Sequence, residues 1–322
     1  MKKTLILSQT TRDDYALLEW KKNGVDTDIT LKERSKILRA LRRVWIKFHL
    51  PFQSIWYGDW KKDFLNYDCI LLHGTWLAED IPHWMRLQAK KAGKDIKIIW
   101  WYWNTVVEAD HPDRVSEQDC EKWSFDKEDC KKYGMHYNTQ YYFKTFQLPI
   151  EKEKYDIYFL GTEGGRKKII GELNTKIQNM GLKTDIHIVT DSIEEKDPYR
   201  GLLQVNKLSY QENLQHIAQS KAVLEILRDG QSGQSLRALE CLFYHKKLIT
   251  NDIRIMEYDY YHKDNIFIIG RDSLDELPEF LEKPCALISE KLIEKYDCRQ
   301  WLERFGLDDG RKKAGGEDEI KS

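Results

Sequence analysis

Two Rossmann-like α/β domains are the architecture this sequence predicts, and three observations predict it. Short branched apolar runs at 3–8, 68–73, 96–100, 155–160, 184–190, 221–227, 247–250 and 265–269 alternate with amphipathic stretches. That is how parallel strands buried on both faces and joined by helices read. The alternation restarts after a charged break at 149–154, PIEKEK, which sets a first domain at 1–150 and a second from 151. Finally, 322 residues are enough for two cores of ordinary size.

The first strand, 3–8, leads through a loop containing Asp13 and Asp14 into a helix at 15–22. Residues 32–50 read as a second helix with Ile37, Leu41, Val44 and Phe48 on one stripe. It carries Lys32, Arg34, Lys36, Arg39, Arg42, Arg43 and Lys47 against the single acid Glu33, with Trp45 and Phe48 near its end. A basic amphipathic helix of this kind suits peripheral contact with an anionic membrane. The competing reading is a solvated outer face.

The strand at 68–73 ends on His73 and is followed by Gly74, Thr75, Trp76 and a helix at 79–92. The next strand, 96–100, runs into Trp100, Trp101, Tyr102, Trp103 and Asn104. Open α/β sheets bind ligands beyond the carboxyl ends of their strands, which places His73, Trp103, Asn104 and Glu108 where an acceptor would lie. Tryptophan clusters serve equally as core. Further helices are expected at 126–133, 210–220, 273–282 and 289–305.

In the second half, the loop GTEGGRKK at 161–168 brings Gly161, Thr162 and Arg166 to a strand-to-helix turn suited to phosphate, although it lacks both G-x-G-x-x-G and the P-loop lysine pattern. The strand at 221–227 stops at Arg228. The loop Asp229, Gly230, Gln231, Ser232, Gly233 then opens a helix, whose free amides and dipole favour an anion. Gly233, Arg237 and Glu240 share one helical face, and Leu236, Leu239 and Phe243 share another that is expected to pack on the sheet. A guanidinium forks onto a diphosphate, and a carboxylate one turn on can accept ribose hydroxyls. Read alone, Arg237 and Glu240 would be an ordinary surface ion pair.

The segment GQSLRALECLFYHKKLITND, 233–252, resembles the C-terminal signature of GT-B glycosyltransferases, in particular the CgeB-like group and the group 1 C-terminal domain, with G-x-S-L-R-x-x-E followed by a strand. The resemblance implies two Rossmann-like domains facing each other across a cleft, an acceptor-binding domain at 1–150 and a donor domain at 151–285, with terminal helices at 286–309 that cross back to the first domain. It implies a donor site of Gly161, Thr162, Arg166, Arg228, Ser232, Gly233, Gln234, Ser235, Arg237 and Glu240, and an acceptor site including Trp76, Trp103 and Asn104. The substrate would be a nucleotide-sugar donor, with a glycan or lipid-linked acceptor of bacterial capsule or lipopolysaccharide synthesis. The retaining branch has two glutamates in this motif; Glu240 matches the second, and Ser232 stands where the first would be, so inversion and retention both stay open.

No convincing D-x-D motif for a divalent metal is present, so the basic loop and helix amides are expected to stabilise the leaving diphosphate without a metal, and no cofactor is expected. Candidates for the base are Asp13, Asp14, His73 and Glu108. Two rivals remain: a nucleotide-sugar epimerase of the same architecture, and a non-catalytic nucleotide- or sugar-binding protein. A redox Rossmann enzyme is disfavoured because the loop at 8–14 contains no glycine.

A net charge of −1 argues against nucleic-acid binding. The six cysteines form no C-x-x-C pair, which suits reduced thiols. The apolar run near the start, 5–7, is too short for a signal peptide and no stretch reaches membrane-spanning length. A cytoplasmic protein is expected, with a disordered polar tail at 310–322.

Overall fold

The computed structural model describes residues 2–11, 14–228, 230 and 232–307, without the side chain of Glu108. Asp13, Asp229, Gln231 and the tail at 310–322 lie outside the described residues.

The chain alternates β1 (Thr4–Ser8), α1 (Tyr15–Lys22), β2 (Asp26–Ile29), α2 (Lys36–Lys47), β3 (Cys69–His73), α3 (Ile81–Lys91), β4 (Lys97–Tyr102), β5 (Glu121–Ser124), α4 (Lys127–Tyr133) and β6 (His136–Tyr137). These strands form a parallel sheet of order β2-β1-β3-β4-β5-β6. The burial of every residue of β3, apolar up to its terminal His73, and of all but the first residue of β4 is the parallel-sheet signature. β2, with the sequence DTDI, carries too little apolar character to be read as a strand.

A second set follows: β7 (Tyr155–Thr162), α5 (Lys167–Asn179), β8 (Thr184–Val189), β9 (Leu203–Gln204), α6 (Tyr210–Ala218), β10 (Ser220–Glu225), α7 (Leu236–Tyr244), β11 (Lys247–Thr250), β12 (Ile266–Ile268), α8 (Leu277–Glu282) and α9 (Glu290–Glu294). Its parallel sheet has the order β12-β11-β10-β7-β8-β9. Counted from its own first strand this is the 3-2-1-4-5-6 order of the dinucleotide-binding fold, read from the far edge. Apolar layers cover both faces: Tyr158 and Val223 enter one, and Ile157, Phe159, Ala222 and Leu224 the other. The α/β class with two Rossmann-like sheets is therefore what the chain adopts.

The last helix, α10 (Cys298–Glu303), belongs with the first sheet. Trp301 is fully buried, its ring 5.0 Å from that of Trp101 and 5.9 Å from that of Trp20, and its Nε1 donates to Thr139 O at 2.7 Å. The contacts divide the chain into one unit of the residues up to Thr139 plus those from Cys298 on, and another of Gln140–Asp297.

That division precedes the charged break at 149–154, because the intervening segment packs in the second unit. Tyr142 bonds through its hydroxyl to Tyr244 at 2.9 Å and to Tyr210, and its N–H donates to Tyr296 O at 2.9 Å. The same contacts break the single helix expected at 289–305 into α9 and α10, since Tyr296 O and the Asp297 carboxylate accept from the backbone of Tyr142 and Lys144.

Candidate functional site

In an open α/β sheet the ligand crevice opens where strand order reverses, beyond the carboxyl ends of the two strands flanking the switch. In the second unit those strands are β7 and β10. The loops leaving them are the two glycine-bearing loops singled out in the sequence. Gly164, Gly165, Gly230 and Gly233 all have positive φ, between 46° and 83°, which only glycine adopts without strain.

Three guanidiniums gather here. Arg166 is buried and anchors the edge itself: it donates to the carbonyls of Ile226, Thr162 and Glu163. Burial, then repulsion from Arg237 and Arg228, holds it down to about 10. Arg228 donates to Thr162 Oγ1. Arg237, one residue into α7, lies with its guanidinium 5.6 Å from the centroid of the Phe159 ring, and Arg166 lies 5.8 Å from the same ring. Unlike the other two, Arg237 makes no hydrogen bond or ion pair to any described residue. The expected donor arginines thus separate into a scaffold residue, Arg166, and two cations at the edge.

Glu240 lies one turn along α7 from Arg237. It is buried rather than surface-paired, and its Oε1 accepts from Tyr210 Oη at 3.2 Å and Asn213 Nδ2 at 3.3 Å. Oε2 accepts from neither. Desolvation raises its carboxyl from 4.5 to about 7, against the lowering pull of Arg237. Burial of this face also corrects the expected packing of α7. Ala238, Leu239, Cys241 and Leu242 are buried, whereas Leu236, which was expected on the sheet, is exposed.

Two members of the expected donor set serve the fold. Gln234 is buried, taking the N–H of Gln140 on Oε1 at 3.1 Å and donating from Nε2 to Tyr260 at 3.0 Å. Ser235 caps α7 by accepting from Ala238 N and donates its hydroxyl to Glu225. Ser232 and Gly233 stand in the loop ahead of them, and Gly161 sits where an added Cβ would come within 3.2 Å of the Arg166 guanidinium.

Glu225 escaped the sequence reading. It is buried at the end of β10, holds Ser235 on Oε1 and Thr250 Oγ1 on Oε2 at 2.6 Å, and is pushed upward by desolvation. Its signal was one acid inside an otherwise apolar run.

In the first unit the order reverses between β1 and β3, whose last residues are Ser8 and His73. Ser8 Oγ lies 3.1 Å from His73 Nδ1, and Nε2 is buried with no hydrogen-bond partner among the described residues. Desolvation lowers His73 to about 4, so its imidazole is neutral near pH 7. Trp103 stacks on that ring at 5.6 Å and 15° and is exposed, as is Asn104. Trp100, Trp101 and Tyr102 are buried core. Trp76 is half-buried against the same core and donates its backbone N–H to Asp110. Asp14 is the N-cap of α1, accepting from the N–H groups of Ala16 and Leu17. Glu108 sits in a short 3₁₀ turn.

The basic helix is shorter than expected, Lys36–Lys47 rather than 32–50. Its apolar stripe faces outward: Ile37 is 80% exposed and Phe48 65%, and Leu41 and Val44 are half as exposed as free side chains. Ile46 is its one buried residue, and Arg42 donates to Lys32 O at 2.7 Å. No helix among the described residues is long and apolar enough to cross a membrane.

No protein-family profile matches the chain, and no curated protein matches it. Among solved structures the chain is similar to a UDP-N-acetylglucosamine 2-epimerase, with a TM-score of 0.45 and 13% identity over 100% of both chains, a likeness too distant to carry a functional argument.

Proposed function

We propose that the chain is a glycosyltransferase of the GT-B kind, taking a nucleotide-sugar donor on its second unit and a glycan or lipid-linked acceptor on its first. The observation that carries this reading is the cation cluster at the β7–β10 switch point, with the Arg237 guanidinium in no hydrogen bond or ion pair with a described residue and a buried carboxylate one turn away. Arg237 and Arg228 would hold the donor diphosphate, with the amides opening α7 beside them, and Glu240 Oε2 would accept from the ribose. The same cations would stabilise charge developing on the leaving diphosphate, which makes a metal unnecessary for that task.

On the acceptor side His73 would be the base. With the proton of its ring on Nδ1 toward Ser8, Nε2 is left as a bare acceptor under the Trp103 platform. Asp14 is committed to capping α1, which leaves His73 the better placed of the two. A thermal-shift screen of nucleotide sugars, followed by product analysis with mixed glycan acceptors, tests the reading. Sugar transfer to an acceptor is the expected result. Epimerised donor without transfer would assign the site to an epimerase, and binding with no turnover would leave a binding protein.

A membrane-borne acceptor would suit α2, whose exposed stripe of Ile37, Leu41, Val44 and Phe48 lies among Arg39, Arg43 and Lys47. Each cation near an anionic surface contributes about 1 kcal/mol. Because Arg42 serves the fold, the test uses Arg39→Glu with Arg43→Glu and, separately, Ile37→Ser with Phe48→Ser. Sedimentation with anionic vesicles is expected to be lost with the first pair and weakened with the second. Unchanged sedimentation, or none in the parent, returns α2 to a solvated face.

A further inference from the structure

Strand β8 departs from the apolar pattern of its sheet. Ile186 and Ile188 enter one apolar layer with Ile157 and Phe159, but on the opposite face Asp185 and His187 meet His216 of α6. An interior strand of a covered parallel sheet is ordinarily apolar on both faces. Here Asp185 Oδ1 lies 2.8 Å from His187 Nε2 and Oδ2 lies 2.5 Å from His216 Nδ1. The three ligand atoms fall within 4.8 Å of one another. The side chains are 13%, 22% and 26% exposed in that order, so the cluster is enclosed yet reachable from solvent.

The surroundings fix the rings as a metal site requires. His187 Nδ1 lies 2.7 Å from Gln204 Oε1, and the Gln204 amide is itself oriented because its Nε2 donates to Asn206 O at 2.9 Å. A ligating histidine typically turns its second nitrogen to such a held oxygen. Tyr158 stacks on His216 at 5.2 Å and 10°, which sets the plane of that ring.

We propose that Asp185, His187 and His216 bind one divalent transition-metal ion of the zinc class, through a carboxylate oxygen, Nε2 of His187 and Nδ1 of His216, with water completing the shell. Two imidazoles and one carboxylate suit zinc and its neighbours, whereas magnesium and calcium prefer all-oxygen shells. The ion takes the place of the protons now shared between the carboxylate and the two rings. It would tie β8 to α6, and one turn earlier on α6 stands Asn213, which holds Glu240. That consequence rests on the proposed donor site; the metal site itself does not.

The other acid–histidine group, His49 with Glu79 and Asp80, already has Arg114 3.4 Å from Glu79 and provides the control. The full chain, stripped with a chelator, is titrated with zinc by calorimetry and with cobalt by visible absorption. One equivalent is expected, lost in His216→Gln and Asp185→Asn, weakened about 10- to 100-fold in Gln204→Leu, and unchanged in His49→Gln. Binding that persists in a His187→Gln/His216→Gln double variant, or no binding by the parent, overturns the site. Should a variant fail to fold, imidazole nitrogen-15 shifts of the unaltered protein decide. His187 Nε2 and His216 Nδ1 must move with zinc, and if they do not the proposal fails.

Discussion

Replacing Glu240 with glutamine is expected to stabilise the protein at neutral pH while weakening its binding of nucleotide. Burial raises this carboxyl from 4.5 to about 7, so the folded state holds its proton more tightly than the unfolded chain does. Below 4.5 both states are protonated and the group is neutral in its effect. Between 4.5 and 7 the unfolded chain gives up the proton first, and stability falls as pH rises, levelling off above about 7. The full cost of the ionised, buried group is on the order of 3 kcal/mol. Glutamine removes it and can still accept from Tyr210 and Asn213. Urea unfolding across that range should show Glu240→Gln gaining on the parent as pH rises. Parallel curves would mean that Glu240 is not held as a strained carboxyl. In the same variant, loss of the ionised acceptor should lower nucleotide affinity about tenfold or more. A residue that costs stability yet is needed for a ligand is the expected mark of a site.

Arg237→Ala should do the opposite: leave stability nearly unchanged and damage function. Its guanidinium bonds to no described residue, and its removal relieves repulsion on Arg166. Set against that relief are the lost contact with the Phe159 ring, worth about 0.5–1 kcal/mol, and the lost attraction for Glu240 and Glu225. A charge-assisted contact to diphosphate is worth roughly 1.5–3 kcal/mol, so affinity should fall about ten- to a hundredfold. Turnover should fall with it, because the demand on this cation grows as the diphosphate leaves.

The parallel sheets were legible because runs such as CILLH and AVLEIL can only be buried on both faces, and the glycine loops announced the strand-to-helix turns. The short strand DTDI was not, since its pairing with β1 comes from tertiary context. Within the site, helical spacing put Arg237 and Glu240 on one face, but spacing carries no information on burial. That Glu240 lies beneath Tyr210 and Asn213 depends on where α6 packs. Likewise nothing local distinguishes Arg166, which holds three carbonyls, from Arg237, which holds none among the described residues. Asp185 and His187 share one face of β8, but a whole crossover separates them from His216, so the meeting of the three is a product of the sheet order.

On the proposed reading, the β7–β10 switch point binds a nucleoside diphosphate through Arg237. Calorimetric titration of the parent and of Arg237→Ala with a panel of nucleoside diphosphates tests it directly. Binding of at least one nucleotide by the parent and roughly ten- to a hundredfold weaker binding by the variant are expected, at a nearly unchanged melting temperature. Equal affinity in the two folded proteins, or a parent that binds none of the panel, would contradict it.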